Sequence, residues 1–158
     1  MPAQPLVDLA ELDVNKVLVD RDGIYDVNPH RFEFQLLDGI LMLDRERNII
    51  AGYSRIRPDA FWVRGHIPGR PLMPGVLMIE SAAQLVSYYE MSIRKEEGSF
   101  LGFGGVTDVK FRGMVQPGDT LILVGKMVDS RARRSIGDTQ GFVNGKMVYE
   151  GIITGMWL

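Results

Sequence analysis

The chain has 158 residues, the length of one domain, and no cysteine, so disulfides, thiolate metal sites and a cysteine nucleophile are excluded. Its two histidines, His30 and His66, are too few for a three-histidine zinc site within one chain. The composition, 46% apolar and 24% charged, is that of an ordinary globular protein, and a net charge of -2 does not suit a nucleic-acid binder.

From the N-terminus, Asp8, Glu11 and Asp13 interrupt the apolar positions that a secretory leader would keep unbroken. No run approaches the roughly 20 apolar residues of a membrane span. Cytoplasmic residence without membrane association is therefore expected, with residues 1–27 an N-terminal extension of a single domain covering 1–158. Alternation predicts strands over 34–44 and 47–57, separated by a turn at Arg45-Glu46-Arg47-Asn48 and paired antiparallel. Residues 58–75 carry seven prolines and glycines and form a long shaped loop. A helix follows from Val76 to about Arg94, opened by Pro74-Gly75 and stopped before Gly98. Eight of the eleven residues from Val76 to Val86 are apolar, which describes a helix buried on nearly every side.

Four further strands are predicted over 100–113, 119–131, 134–144 and 146–157, with Asn144-Gly145 a tight-hairpin signal. This order fits an α+β architecture, one antiparallel sheet wrapped around a central buried helix. A sheet covers only part of such a helix, so a second copy of the chain is the expected cover, giving a symmetric dimer.

The chemistry gathers between residues 66 and 80. His66 sits among glycines and prolines that hold a backbone regular structure does not adopt. Glu80 is the only acid between Asp59 and Glu90 and lies in a helix that is otherwise core. Two readings fit it: a carboxylate hydrogen-bonded to Gln84 four residues on, or an acid in an apolar pocket, where desolvation favours its protonated form and lets it donate a proton. The first N–H groups of the helix, at Gly75 and Val76, have no intrahelical partner and suit a polarised carbonyl oxygen, and Gln84, on the same helix face as Glu80, is a further substrate-binding candidate. Phe100 and Phe103 are core residues or walls of an apolar tunnel. Residues 1–50 hold five basic against ten acidic side chains, and 101–158 seven against five. Lys110, Arg112, Arg131, Arg133 and Arg134 therefore form either a solvated face or a docking surface for an acidic partner. His30, just before a predicted strand and beside Pro29 and Arg31 with no acid at an informative spacing, is expected to be structural, holding the N-terminal segment.

The run from His66-Ile67-Pro68-Gly69 through Pro74-Gly75 to Glu80 and Gln84 closely resembles the active-site signature of the bacterial 3-hydroxyacyl-acyl-carrier-protein dehydratases, which are hotdog-fold enzymes of fatty-acid synthesis. The resemblance extends to Pro29-His30-Arg31-Phe32 with Leu37-Asp38, and to Val109-Lys110-Phe111-Arg112 with Gln116-Pro117-Gly118-Asp119, covering roughly residues 28 to 157. It implies a double-hotdog homodimer, or a trimer of such dimers, with His66 the catalytic base, Glu80 the catalytic acid contributed by the opposite subunit, and the Gly75 N–H polarising the thioester carbonyl. It implies no cofactor, and as partner an acyl carrier protein bearing a phosphopantetheine-linked acyl chain. Glutamate at 80, and no tryptophan between it and Gln84, favour the plain dehydratase over the relative that also isomerises the double bond. Ile67, Ser81 and Gly39 depart from the usual phenylalanine, alanine and arginine, and Ile67 and Ser81 are candidates for reshaping the pocket. Two rival readings of the same fold are an acyl thioesterase, which needs no histidine in such a loop, and a non-catalytic acyl-binding subunit.

Overall fold

The computed structural model describes residues 3–94 and 99–158. Among the described residues seven strands, β1 (Val19–Asp20), β2 (Gly39–Asp44), β3 (Ile49–Arg55), β4 (Leu101–Phe111), β5 (Thr120–Ser130), β6 (Arg134–Val143) and β7 (Lys146–Trp157), form one sheet. Its order is β1-β2-β3-β5-β6-β7-β4, antiparallel throughout. A short helix α1 (Arg21–Tyr25) follows β1, and the long helix α2 (Gly75–Met91) lies against the sheet. Among the described residues no helix is long and apolar enough to cross a membrane.

The predicted strands of the second half agree with β4 to β7 within two residues at each end. Asn144 and Gly145 both take positive φ, 50° and 77°, the geometry that lets a two-residue turn match the strand twist. The predicted strand over 34–44 is shorter than expected. Residues Phe32–Phe34 form a 3-10 turn, and the ladder begins only with the Asp38 N–H on the Tyr53 carbonyl. The reason lies in Gln84, whose side chain takes the Phe34 carbonyl and the Leu36 N–H, groups a strand partner would otherwise satisfy.

Helix α2 starts at Gly75 and ends at Met91, three residues before the expected Arg94; Gly98 lies outside the described residues. Arg45 of the β2–β3 turn closes its C-terminal end. One guanidinium nitrogen donates to the Tyr89 carbonyl at 3.0 Å and another to the Ser92 hydroxyl at 2.7 Å, placing positive charge where the helix dipole is negative. Leu77, Met78, Ala82, Leu85, Val86, Tyr88 and Tyr89 bury into the core with Ile40, Ile50, Leu121, Leu123 and Ile153. Ser81 is fully buried with its hydroxyl donating to the Leu77 carbonyl at 2.8 Å, so its departure from alanine is absorbed inside the helix and does not reshape a pocket. Gly39 sits under the Tyr53 ring, 2.6 Å from where a Cβ would stand, leaving no room for an arginine side chain.

The helix is not covered all round. Val76 is exposed and Ile79, Glu80 and Ala83 are half-buried, a stripe at helical spacing left open by the sheet. The outer sheet face has a cover of its own. Val7 packs there with Ile49, Ala51, Val124 and Phe142, and buried Gln140 clips the chain, accepting from the Leu6 N–H and donating to the Gln4 carbonyl, both at 2.9 Å.

Candidate active site

The loop from Ile56 to Pro74 carries His66 at the surface. Trp62, 8% exposed, anchors it, and the Trp62 carbonyl accepts the His66 backbone N–H at 2.8 Å. The next residue, Ile67, has φ 60°, a left-handed conformation that crowds a β-branched side chain, and Gly69 follows at φ 82°. This reversal brings the His66 ring back onto the loop, where Nδ1 lies 2.6 Å from the Leu72 carbonyl. A carbonyl only accepts, so Nδ1 carries the proton and donates it. In the neutral ring Nε2 then holds the lone pair, the tautomer a general base requires. The Met73 N–H on the Val115 carbonyl, 2.7 Å, pins the far end of the loop to the sheet side.

Glu80 is held differently. Its Oε1 accepts the Gln84 side-chain N–H at 3.0 Å, while the same amide nitrogen donates to the Phe34 carbonyl at 2.7 Å and Gln84 Oε1 accepts the Leu36 N–H at 3.2 Å. Gln84 is 2% exposed and every polar group of its amide is used, so it stands behind Glu80 instead of facing a substrate as the sequence suggested. Asn28 adds a bond from its side chain to the Gln84 carbonyl, 3.0 Å, fastening the 28–36 segment to the helix. That segment brings His30 Nε2 to 3.6 Å from Glu80 Oε1, a contact the sequence reading missed because the two residues are distant in the chain. Burial holds the His30 imidazole below its ordinary pKa; the Glu80 charge opposes this and Arg31 assists it.

Glu80 and His30 line one cavity of about 240 Å³, with Ala83, Val86 and Ser87 of α2 on one side and Phe100, Phe103 and Ile153 on the other. Phe100 and Phe103 are 44% and 49% exposed, so they are walls of this cavity and not core residues. It is predominantly apolar, with an acid at one point of its lining, and suits an alkyl chain with a polar reacting end. His66 does not line it.

The helix start between them has no side-chain cap, leaving the first N–H groups of α2, Gly75 and Val76 included, for an outside acceptor. Gly75 is required by packing. A Cβ there would stand 2.8 to 3.0 Å from the Phe111 ring, itself lodged against Tyr149 with ring centroids 6.1 Å apart. Tyr149 is fully buried, its hydroxyl pushed up to about 12 by burial and bonded to Thr139 at 2.9 Å, so the helix start rests on rigid core.

The five basic candidates fall into two groups instead of one patch. Lys110 lies opposite Glu150 of β7, and Arg134 opposite Met156, six positions along the same strand, about 20 Å. Arg112 donates to Glu150 at 2.8 Å, and Arg131 and Arg134 both reach Asp129, at 3.1 and 3.3 Å. The Lys110–Arg112 group flanks Phe111, beside the helix start; the Arg131–Arg134 group lies at the opposite end of β4, near Leu101.

A sequence profile of the FabA-like domain matches residues 28–152. The chain is 39% identical over 134 residues to the 3-hydroxyacyl-[acyl-carrier-protein] dehydratase FabZ of Enterococcus faecalis, covering 84% of this chain and 94% of the relative. It is 33% identical to the protein of the same name from Moorella thermoacetica, covering 84% and 92%. Among solved structures, the dehydratase heterocomplex ApeI:P from Xenorhabdus doucetiae superposes with a TM-score of 0.72 at 16% identity, over 84% of this chain and 89% of that one. A mutant thioesterase from Pseudomonas aeruginosa superposes at 0.67 and 12% identity, over 89% and 95%. At such identities the structural likeness is one of fold, the hotdog arrangement of a sheet around a helix.

Proposed function

The chain belongs to the FabA-like family, and on that premise we propose that it is a 3-hydroxyacyl-acyl-carrier-protein dehydratase of fatty-acid biosynthesis, removing water from the carrier-bound thioester to give the trans-2-enoyl product. The observation that carries this reading is the His66 Nδ1 bond to the Leu72 carbonyl, which makes Nε2 the proton-accepting nitrogen of the neutral ring.

Nε2 of His66 takes a proton from C2 of the substrate, and the electron pair of that C–H bond becomes the C2–C3 double bond. Glu80 protonates the departing C3 hydroxyl, which leaves as water. The thioester carbonyl, set against the free N–H groups at Gly75 and Val76, takes up the charge that develops at its oxygen and makes the C2 proton acidic. The imidazolium and the carboxylate left after one turnover return to their starting forms by exchange with solvent. The acyl chain runs into the cavity between α2 and Phe100 and Phe103.

The working site draws His66 and Glu80 from two copies of the chain. Supporting this, His66 does not line the cavity of its own Glu80, the α2 stripe at Val76, Ile79, Glu80 and Ala83 is open, and β4 is an edge strand of eleven residues with Phe103 and Phe111 half exposed. A long unpaired edge favours pairing with another strand, and β4 against β4 of a second copy would also close the helix stripe. Such a pairing lays the Lys110–Arg112 end of one chain beside the Leu101 end of the other. The two basic groups then approach one another across the dimer and offer an acidic carrier protein one surface.

Incubation with a 3-hydroxyacyl carrier substrate is the test. Enoyl absorbance without thiol release supports the dehydratase; thiol release without enoyl product identifies a thioesterase, and binding without either an acyl-binding subunit. Raising the salt should slow turnover on carrier-bound substrate, and replacing Lys110 by Gln should flatten that dependence.

A further inference from the structure

Among the described residues His30 is the one titratable side chain lining the cavity with Glu80 that the reaction above does not use. Its Nε2 stands 3.6 Å from Glu80 Oε1, just outside hydrogen-bonding distance, and its Nδ1 is buried without a partner among the described residues. A neutral imidazole so placed keeps its proton on Nε2, toward Glu80 Oε1, since a proton on the buried Nδ1 would have no acceptor among the described residues. The Gln84 amide donates to the same oxygen at 3.0 Å. The Gln84 N–H thus bonds Oε1 and the His30 N–H stands 3.6 Å from the same oxygen, whereas Oε2 has no partner among the described residues. An oxygen that accepts one donor and has a second beside it is a poor place for a carboxyl proton, because O–H and N–H hydrogens would be forced together.

We propose that His30 is a positioning residue for the dehydration: with Gln84 it holds Oε1 of Glu80 as the acceptor oxygen, so that the acid carries its proton on Oε2, the oxygen left to the cavity. The role rests on the reading of Glu80 as the catalytic acid. It explains why a half-buried histidine stands at the cavity wall and why the 28–36 segment is bound so closely to α2 through Asn28 and Gln84. The substrate-facing rotation of the carboxyl is then set before substrate arrives, which lowers the barrier for the chemical step and leaves substrate affinity largely alone.

Steady-state kinetics of His30→Phe, which keeps a ring and removes the donor, and His30→Gln, which returns an N–H near the position of Nε2, test this alongside Glu80→Gln. In His30→Phe kcat should fall roughly 10- to 100-fold with KM within about twofold. His30→Gln should recover to within about fivefold of wild type. Should His30→Phe fail to fold, His30→Met, flexible and without a donor, takes its place under the same expectations. A folded donor-free variant with wild-type kcat, an equal loss in the Phe and Gln variants, or a loss confined to KM overturns the proposal. If Glu80→Gln is inactive while the donor-free variant is fully active, His30 alone loses its role; if Glu80→Gln itself turns over at the wild-type rate, the reading of Glu80 as the acid falls and the proposal with it.

Discussion

The proposed base and the proposed acid of this protein are mounted in opposite ways. His66 lies exposed on a loop without regular structure, its ring oriented by a single bond to the Leu72 carbonyl and its neighbour Ile67 in a strained left-handed conformation. Glu80 lies in the second turn of a helix packed into the core, with Gln84, Asn28 and His30 arranged around it. A base has to reach a C–H proton on the substrate, so exposure serves it and one bond to choose the tautomer suffices. An acid has to meet the departing hydroxyl in a fixed direction, and Glu80 is held by an apolar wall and several partners.

The sharpest test of that contrast is removal of each group. His66→Ala and Glu80→Gln should each lower kcat about 10²- to 10⁴-fold, and because His66 is exposed its variant should keep the wild-type thermal midpoint. Coexpression of the two variants should restore about a quarter of wild-type turnover, since about half the dimers are mixed and each holds one intact site. No recovery in demonstrably mixed dimers would mean that each chain completes its own site.

Next in size is the support behind the acid. Gln84→Leu strands the Phe34 carbonyl and the Leu36 N–H, and should cost about 1–3 kcal/mol in a denaturant titration with kcat roughly tenfold lower; unchanged stability would show that the 28–36 segment is not tied to α2 through this side chain. Gly75→Ala drives a methyl into the Phe111 ring and should destabilise by about 1–3 kcal/mol, with part of the loss recovered by Phe111→Leu. The smallest effect belongs to the loop. Ile67→Asn relieves the left-handed strain and should raise stability by about 1 kcal/mol, a thermal midpoint higher by about 2–4 °C, with turnover within about threefold because the Leu72 bond still orients His66. A large fall in turnover would instead give the strained backbone a part in positioning the base.

Much of the architecture was legible because it depends on short-range pattern. Alternation, the Asn144-Gly145 turn and the Pro74-Gly75 helix start act over a few residues, and the structure follows them closely. The strand expected over 34–44 fell short because a side chain 48 residues away took a backbone N–H that alternation assigns to a ladder. Gln84 was legible as a neighbour of Glu80 through its four-residue spacing, but its direction was not, since the bonds that turn it away from the cavity come from Phe34 and Leu36. Ser81 looked able to alter a pocket until its place in the buried helix face was known.

By itself the sequence determined which groups exist to do chemistry and on what kind of element each sits: a histidine in a proline-glycine loop, one acid in an apolar helix, and a bare helix start between them. Residue identity and spacing carry that information because helix and strand geometry repeat over a few residues. The tertiary structure alone decided that His30 lies against Glu80, that Phe111 occupies the space over Gly75, that the basic residues divide between two ends of a sheet, and that His66 stays apart from the cavity its acid lines. Each of these joins elements brought together by burial of apolar surface, and the identity of neighbours across a packed core follows from the sum of that packing and not from any local run of residues.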